Sequence, residues 1–187
     1  SSKFTFCIQN TCHPQTLSVL KTRAKPLGIK IIFDKPNEDT FGCLIQNPDT
    51  YGEIADLDKL IQHNRQKEIL SIIAADIMSL VIMKSPRQFG ADIVVGSTQR
   101  FGVPMGLGGP HAAFFATLDE YKRMMPGRLI GVSVDRTNKR SYRMALQTRE
   151  QHIRREKATS NICTAQALLA IISASYAIYH GPERLRN

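Results

Sequence analysis

The sequence contains no apolar stretch of about eighteen residues, the length that a helix needs to cross a bilayer, and we therefore predict no membrane span. The first residues also lack a positively charged segment followed by an apolar core, so we expect a signal or transit peptide to be absent or already removed. The four cysteines, Cys7, Cys12, Cys43 and Cys163, form no CxxC pair, and no histidines stand at metal-binding spacing. No metal site is predicted, and we expect the cysteines to be free thiols in a reducing compartment.

Acidic residues are scarce between positions 121 and 160. This basic band holds eleven Lys or Arg against three acidic residues, a net +8 out of +9 for the whole chain. Such a band can attract nucleic acid, an acidic protein or an anionic substrate, or it can be a solvated helix face. A nucleic-acid-binding module needs aromatic side chains among the charges or a known motif, and only Tyr121 and Tyr142 lie in the band.

What remains is a globular composition, 42% apolar and 22% charged, arranged as alternating apolar runs and helical patterns. Near-continuous apolar runs separated by helices are typical of a parallel sheet covered on both faces. We therefore predict an α/β fold, with a parallel-dominated sheet and helices on both faces. The predicted strands are 4–8, 29–33, 41–45, 69–75, 92–95, 112–116 and 129–134; the predicted helices are 13–27, 56–67, 119–125 and a final helix. Asn161 is expected to cap the final helix, which buries Leu168 and five other apolar residues and stops at Gly181.

The stretch 96–110 is rich in glycine and proline, so it cannot form a regular helix or central strand. It lies between two predicted strands, where α/β proteins place binding loops. Gln99 and Arg100 open this glycine loop, His13 follows the first strand, and Asp76 ends the strand 69–75. Because carboxyl ends of parallel strands share one edge, these four residues are expected close together as a candidate cofactor site. The alternative is that each has only a structural role.

Long motifs add a family resemblance. Residues 13–16, 90–115, 125–128, 147–157 and 160–169 resemble the P-protein family of the glycine cleavage system, and the similarity extends over essentially the whole chain. The resemblance implies glycine dehydrogenase (decarboxylating), an oxidoreductase that uses pyridoxal phosphate and has two related halves of the aminotransferase-like fold, fold type I. Residues 1–180 would then be part of the large α/β domain of the N-terminal half. Residues 181–187 would begin a connection to a small domain outside this sequence.

The same resemblance implies roles for the candidate site. His13 matches the residue that stacks on the cofactor ring, and Asp76 approximately matches the aspartate that pairs with the pyridine nitrogen. The position of the Schiff-base lysine is taken by Gln99, which has no basic amine. We therefore expect a degenerate half, with pyridoxal phosphate on the C-terminal half and none held covalently here. A self-sufficient pyridoxal-phosphate enzyme, such as an aminotransferase, is the alternative.

The resemblance also implies partners: the C-terminal catalytic half, glycine, and the lipoyl-bearing H-protein, in a dimeric assembly. Because H-proteins of this system tend to be acidic, the basic band is a candidate docking surface, and its candidate contacts are Arg143, Arg149, Arg154 and Arg155. The alternative is that Arg149 and Glu150 only form internal ion pairs. The expected location is the mitochondrial matrix in a eukaryote, or the cytoplasm in a bacterium.

Overall fold

A computed structural model describes residues 3–147, 150–158 and 164–187. Its elements, in chain order, are β1 (Thr5–Ile8), α1 (Pro14–Ala24), β2 (Lys30–Phe33), β3 (Thr40–Asn47), α2 (Leu57–Gln66), β4 (Leu70–Ala75), β5 (Ile93–Ser97), β6 (Ala113–Thr117), β7 (Leu129–Val134), β8 (Arg140–Leu146), α3 (Gln151–Arg154) and α4 (Ala167–Arg186). The chain forms two compact units, Ser1–Ala116 with Gln166–Asn187, and Thr117–Ala165. The predicted assignment of residues 1–180 to a single large domain stays a prediction.

The first unit is built on a six-stranded sheet with the order β2-β1-β3-β4-β5-β6. The pairs β1–β2, β1–β3, β3–β4 and β4–β5 are all parallel. Strand β6 lies beside β5, and the Thr98 N–H donates to the Ala112 carbonyl at 2.9 Å just beyond them. The predicted α/β fold with a parallel-dominated sheet is confirmed.

One face of this sheet is covered by α1. Pro14 begins the helix, where its missing N–H costs nothing, and Gly28 ends the following 3-10 turn with a φ of 65°. Because successive side chains of a strand alternate between faces, Ile8 and Leu44 point to the same side and pack with Leu17 and Leu20 of α1.

The opposite face is covered by α2. The Asp56 carboxylate caps this helix by accepting from the Lys59 N–H at 3.2 Å. Leu57 and Ile61 of α2 pack on Ile45 and Ile73, and Ile73 is fully buried. The prediction of helices on both faces is therefore confirmed. Cys7, Cys12 and Cys43 are free and buried, as small apolar side chains are, whereas Cys163 lies outside the described residues.

The second unit contains an antiparallel hairpin of β7 and β8. Strand β7 was predicted from its sequence, but β8 was not, because its basic residues were assigned to the charged band. The turn between them is fixed by Asp135, whose carboxylate accepts from the N–H groups of Thr137 at 2.7 Å and Lys139 at 3.0 Å. This turn was the overlooked signal for a hairpin. The helix predicted over 119–125 is wrong: only a 3-10 turn forms, over Asp119–Tyr121, since so short a segment before Pro126 cannot sustain a helix.

Helix α4 returns the chain to the first unit. Gly181, with φ 67° and ψ 170°, interrupts the helix as predicted, and one more helical turn follows. The predicted cap, Asn161, lies outside the described residues. The prediction that Leu168 is buried is wrong, because its side chain is 65% exposed. Across the described ranges, no helix is both long enough and apolar enough to cross a bilayer.

Ile73 is fully buried between α2 and the sheet, so its truncation should be costly. We expect Ile73→Ala to lower the free energy of unfolding by about 2–5 kcal/mol, because it removes buried methyl groups and leaves a cavity. Chemical denaturation measures this change. Ile54→Ala is the matched control, since the Ile54 side chain is exposed and its truncation should change stability little. Equal losses in both variants would contradict the described core.

Candidate functional site

The carboxyl ends of the parallel strands surround an open cleft of about 710 Å³. Four of the parallel strands contribute through the residues that follow them: His13 after β1, Asp49 after β3, Asp76 after β4, and Gln99 with Arg100 after β5. The cleft lies where open α/β sheets bind their ligands, and it is formed by residues of the first unit. The structure thus brings the four residues of the candidate cofactor site together.

Asp76 is bound directly to Arg100. One guanidinium nitrogen of Arg100 lies 2.7 Å from Oδ2 of Asp76, and Oδ1 accepts from the Met78 N–H at 3.1 Å. The Ser79 hydroxyl donates to the Asp76 carbonyl at 2.8 Å and anchors the same turn. The Asp76 side chain is 25% exposed and that of Arg100 is 64% exposed, so the pair lies at the cleft surface. The negative charge at this strand end is therefore already neutralised by a cation of the same chain.

His13 stands at the N-terminus of α1 and makes no side-chain cap. Its Nδ1 lies 3.0 Å from the Thr50 hydroxyl, which fixes the ring beside the loop after β3. The imidazole is exposed at the rim of the cleft, so a planar ligand could be stacked there without moving a core residue.

Sequence reasoning missed two cleft residues, Gln46 near the end of β3 and Asp49 in the loop that follows it. The Gln46 amide donates to the carbonyls of Pro48 at 3.1 Å and Ala74 at 3.2 Å, and so ties β3 to β4 at the cleft floor. For Asp49 a signal was present, since the polar turn Asn47–Gly52 follows a buried strand directly.

Asp49 is held ionised by its turn. Burial of this carboxylate raises its pKa, but the nearby Thr11 hydroxyl and the N–H groups of Glu53, Tyr51 and Gly52 outweigh burial, so the pKa lies below its usual range. The Tyr51 and Glu53 N–H groups each lie 2.9 Å from Oδ1.

The start of the glycine loop is anchored on α4. The Ser173 hydroxyl donates to the Thr98 carbonyl at 3.2 Å, and the rings of Phe101 and Tyr176 stack with centroids 5.9 Å apart. Gly102, with φ 75°, lies against Tyr176 where a Cβ would collide with the ring. These contacts hold the segment containing Gln99, and no lysine is present among the described residues that line the cleft.

The candidate docking residues lie in the second unit. Arg143 is on β8, Arg154 ends α3 and Arg155 follows it, and all three side chains are exposed. Arg149 lies outside the described residues.

Glu150, beside α3, is almost fully buried. Its Oε2 accepts from the Gln147 amide at 3.0 Å and from a guanidinium nitrogen of Arg128 at 3.2 Å. These hydrogen bonds, that of Gln147 first, hold the pKa of Glu150 below its usual range against the effect of burial. The alternative interpretation was that Arg149 and Glu150 only form internal ion pairs. Glu150 does form one, with Arg128. Among the residues described, no cluster of His, Cys, Asp and Glu side chains could hold a metal ion.

The sheet and cleft define a class of protein. The first unit has the fold of type I pyridoxal-phosphate-dependent enzymes. A crystal structure of a putative O-acetylhomoserine (thiol)-lyase from Campylobacter jejuni, which contains a pyridoxyl-lysine, superposes with a TM-score of 0.53 at 17% identity. That superposition covers 64% of this chain and 32% of the other, and it shows the fold alone.

The chain belongs to the glycine cleavage system P-protein family, whose sequence pattern it matches over residues 1–187. It is 59% identical to glycine dehydrogenase (decarboxylating) of Pelagibacter ubique over 100% of this chain and 20% of the relative. It is 56% identical to the mitochondrial enzyme of Pisum sativum over 98% of this chain and 18% of the relative. The chain thus spans about a fifth of the length of these curated relatives, within their N-terminal portion.

A solved structure supports the same family. A crystal structure of glycine decarboxylase (P-protein) of the glycine cleavage system, in inhibitor-bound form, superposes with a TM-score of 0.92 at 36% identity. The match covers 98% of this chain and 44% of that chain.

The close contact of β5 with its neighbours yields a prediction for the glycine loop. A Cβ on Gly96 would collide with the Ala75 carbonyl oxygen and the Phe114 ring, whereas one on Gly106 would meet no atom within 4 Å. We expect Gly96→Ala to lower the free energy of unfolding by about 1–3 kcal/mol, and Gly106→Ala to change it little. Chemical denaturation of the two variants tests this, and equal stabilities would contradict the described contact.

The lowered pKa of Asp49 predicts a pH dependence. A carboxyl whose pKa is lower in the folded state stabilises the fold above its unfolded pKa of about 3.9, and loses that contribution as the pH falls through the folded value. We therefore expect Asp49→Asn to lower the Tm at pH 7, with a deficit that shrinks below about pH 4. Thermal unfolding at several pH values measures it, with Glu38→Gln, an exposed carboxylate, as control. A deficit independent of pH would contradict the described turn.

Proposed function

We propose that this segment is a degenerate, non-catalytic half of a glycine-decarboxylating enzyme. The whole protein decarboxylates glycine and transfers the aminomethyl group to the lipoyl arm of the H-protein, with pyridoxal phosphate bound to the other half. This segment supplies structure and a docking surface, and alone it is inactive. One observation carries the proposal: the cleft keeps the form of a cofactor site, but Gln99 stands at the mouth of its loop and Arg100 binds Asp76.

Covalent attachment of pyridoxal phosphate does not fit this cleft. An imine needs an amine with a free lone pair, whereas the nitrogen of the Gln99 side-chain amide is delocalised into its carbonyl and carries no basic lone pair. The next downstream lysine is Lys122, which belongs to the second unit.

The ion pair of Asp76 at the end of β4 also disfavours binding of the cofactor. A strand-end aspartate that keeps a pyridine nitrogen protonated must face it with a free carboxylate oxygen. Oδ2 of Asp76 is held at 2.7 Å by Arg100, and Oδ1 accepts from the Met78 N–H. A cationic ring would have to share this carboxylate with the Arg100 guanidinium, and repulsion between the two cations disfavours the cofactor even without covalent attachment.

The proposal predicts the behaviour of the chain with pyridoxal phosphate. We expect no absorbance band of a lysine-bound cofactor, and no single lysine carrying the label after borohydride reduction, because none of the described residues that line the cleft is a lysine. Absorbance and peptide mass mapping measure both. Scattered low-level modification of exposed lysines is the expected background. A stoichiometric adduct on one defined lysine would overturn the proposal and favour the self-sufficient enzyme.

We further propose that the basic band docks the acidic H-protein through Arg143, Arg154 and Arg155, with Arg149 as a fourth contact. The three described side chains are exposed, as long-range attraction of a charged partner requires. The basic charge alone would suit a nucleic-acid role, but only two aromatic residues, Tyr121 and Tyr142, lie among the charges, which disfavours that alternative. The assembly is proposed to be dimeric. The proposed location is the matrix in a eukaryote or the cytoplasm in a bacterium, since relatives include bacterial proteins and a plant mitochondrial one.

Docking through the band predicts a loss of affinity on charge reversal. In the complete P-protein, Arg154→Glu with Arg155→Glu should weaken H-protein binding about tenfold, roughly 1.4 kcal/mol, and flatten its salt dependence. Arg184→Glu with Arg186→Glu, two exposed arginines at the end of α4 outside the band, is the charge-matched control and should have little effect. Unchanged affinity and salt dependence in the double variant would refute the docking role.

A further inference from the structure

The hairpin of the second unit presents its apolar side chains outward. Ile130 pairs with Met144 and Val132 pairs with Tyr142 across the two strands, so all four project from one face. Their exposed fractions are 60%, 49%, 70% and 70%. The other face carries smaller and polar residues, among them Gly131, Ser133 and Ser141, which are only partly exposed. This is the reverse of the pattern in a solvated antiparallel sheet, where the polar residues face water.

A two-stranded hairpin cannot maintain such a face alone. Isolated pairs of strands are marginal in water, and they need a third strand or packing against an apolar face to be stable. Among the described residues, β7 and β8 form a sheet of two strands only. An exposed patch of large apolar side chains marks an interface that another surface covers.

We propose that this hairpin face is buried permanently against the rest of the P-protein polypeptide. The chain spans about a fifth of its curated relatives, so about four-fifths of such a protein lies outside it. Covalent linkage holds that remainder at high effective concentration, which favours it over any free partner. Large apolar side chains are also exposed on α4, where Leu168, Ile171 and Ile178 form an apolar stripe at helical spacing.

Charge argues against a second copy of this segment as the occupant. The basic band, which includes the hairpin, has a net charge of +8, so two copies would bring like charges together. A partner that binds and dissociates would leave four large apolar side chains in water between encounters. Permanent interfaces are the more apolar class, and this face has their composition.

The test uses the complete P-protein with Val132→Cys and, as control, Arg136→Cys in the exposed hairpin turn. A water-soluble maleimide labels each protein, and peptide mass spectrometry follows the introduced thiol. We expect Cys at 132 to react at least about tenfold more slowly than Cys at 136, because a buried site reacts only after local opening. Tyr142→Cys places a thiol on the same face from β8, and this thiol must be protected from the maleimide to the same degree. It keeps the test decisive if Val132→Cys folds poorly.

Three outcomes would overturn the proposal. Equal labelling rates at 132 and 136 would mean that the face is open in the complete protein. Protection that appears only when H-protein is added would assign the face to that partner. Protection that falls on dilution would assign it to a second copy.

Discussion

Parallel pairing of neighbouring strands is the constraint on which the rest of this structure depends. Once β1, β3, β4 and β5 run in the same direction, the residues that follow them must emerge at one edge. His13, Asp49, Asp76 and Gln99 are far apart in sequence, and they line one cleft for that reason. The parallel order also requires crossover connections, and two of them, α1 and α2, cover opposite faces of the sheet.

The charge in the cleft follows from this geometry. A carboxylate at the end of a buried strand needs a counter-charge, and in this chain Arg100 supplies it at 2.7 Å. The glycine loop that carries Arg100 is held by Ser173 and Tyr176 of α4, so the ion pair rests on an anchored segment. The proposed loss of cofactor chemistry requires little change of fold, since an amide at position 99 and an internal cation suffice.

Most of the sheet could be predicted from the sequence, because its strands are continuous apolar runs such as Ile69–Ala75 and depend little on their surroundings. The carboxyl-edge position of His13, Asp76 and Gln99 followed from topology alone. Gln46 was missed because a polar side chain at a strand end gives no periodic signal, and its hydrogen bonds to Pro48 and Ala74 exist only in the folded sheet. Strand β8 was missed because the arginines at its positions 140 and 143 obscured the alternation. The outward apolar face of the hairpin could not be predicted from the sequence. The alternation of residues along a strand shows which side chains share a face, but not which of the two faces is covered.

The central claim is that the cofactor chemistry of this family lies outside this segment. The direct measurement is borohydride reduction of the complete P-protein in its cofactor-bound state, followed by proteolysis and mass mapping of the pyridoxyl label. The account predicts a single labelled lysine in the part of the polypeptide outside residues 1–187 and no stoichiometric label within them. A stoichiometric label on a lysine of residues 1–187 would contradict it.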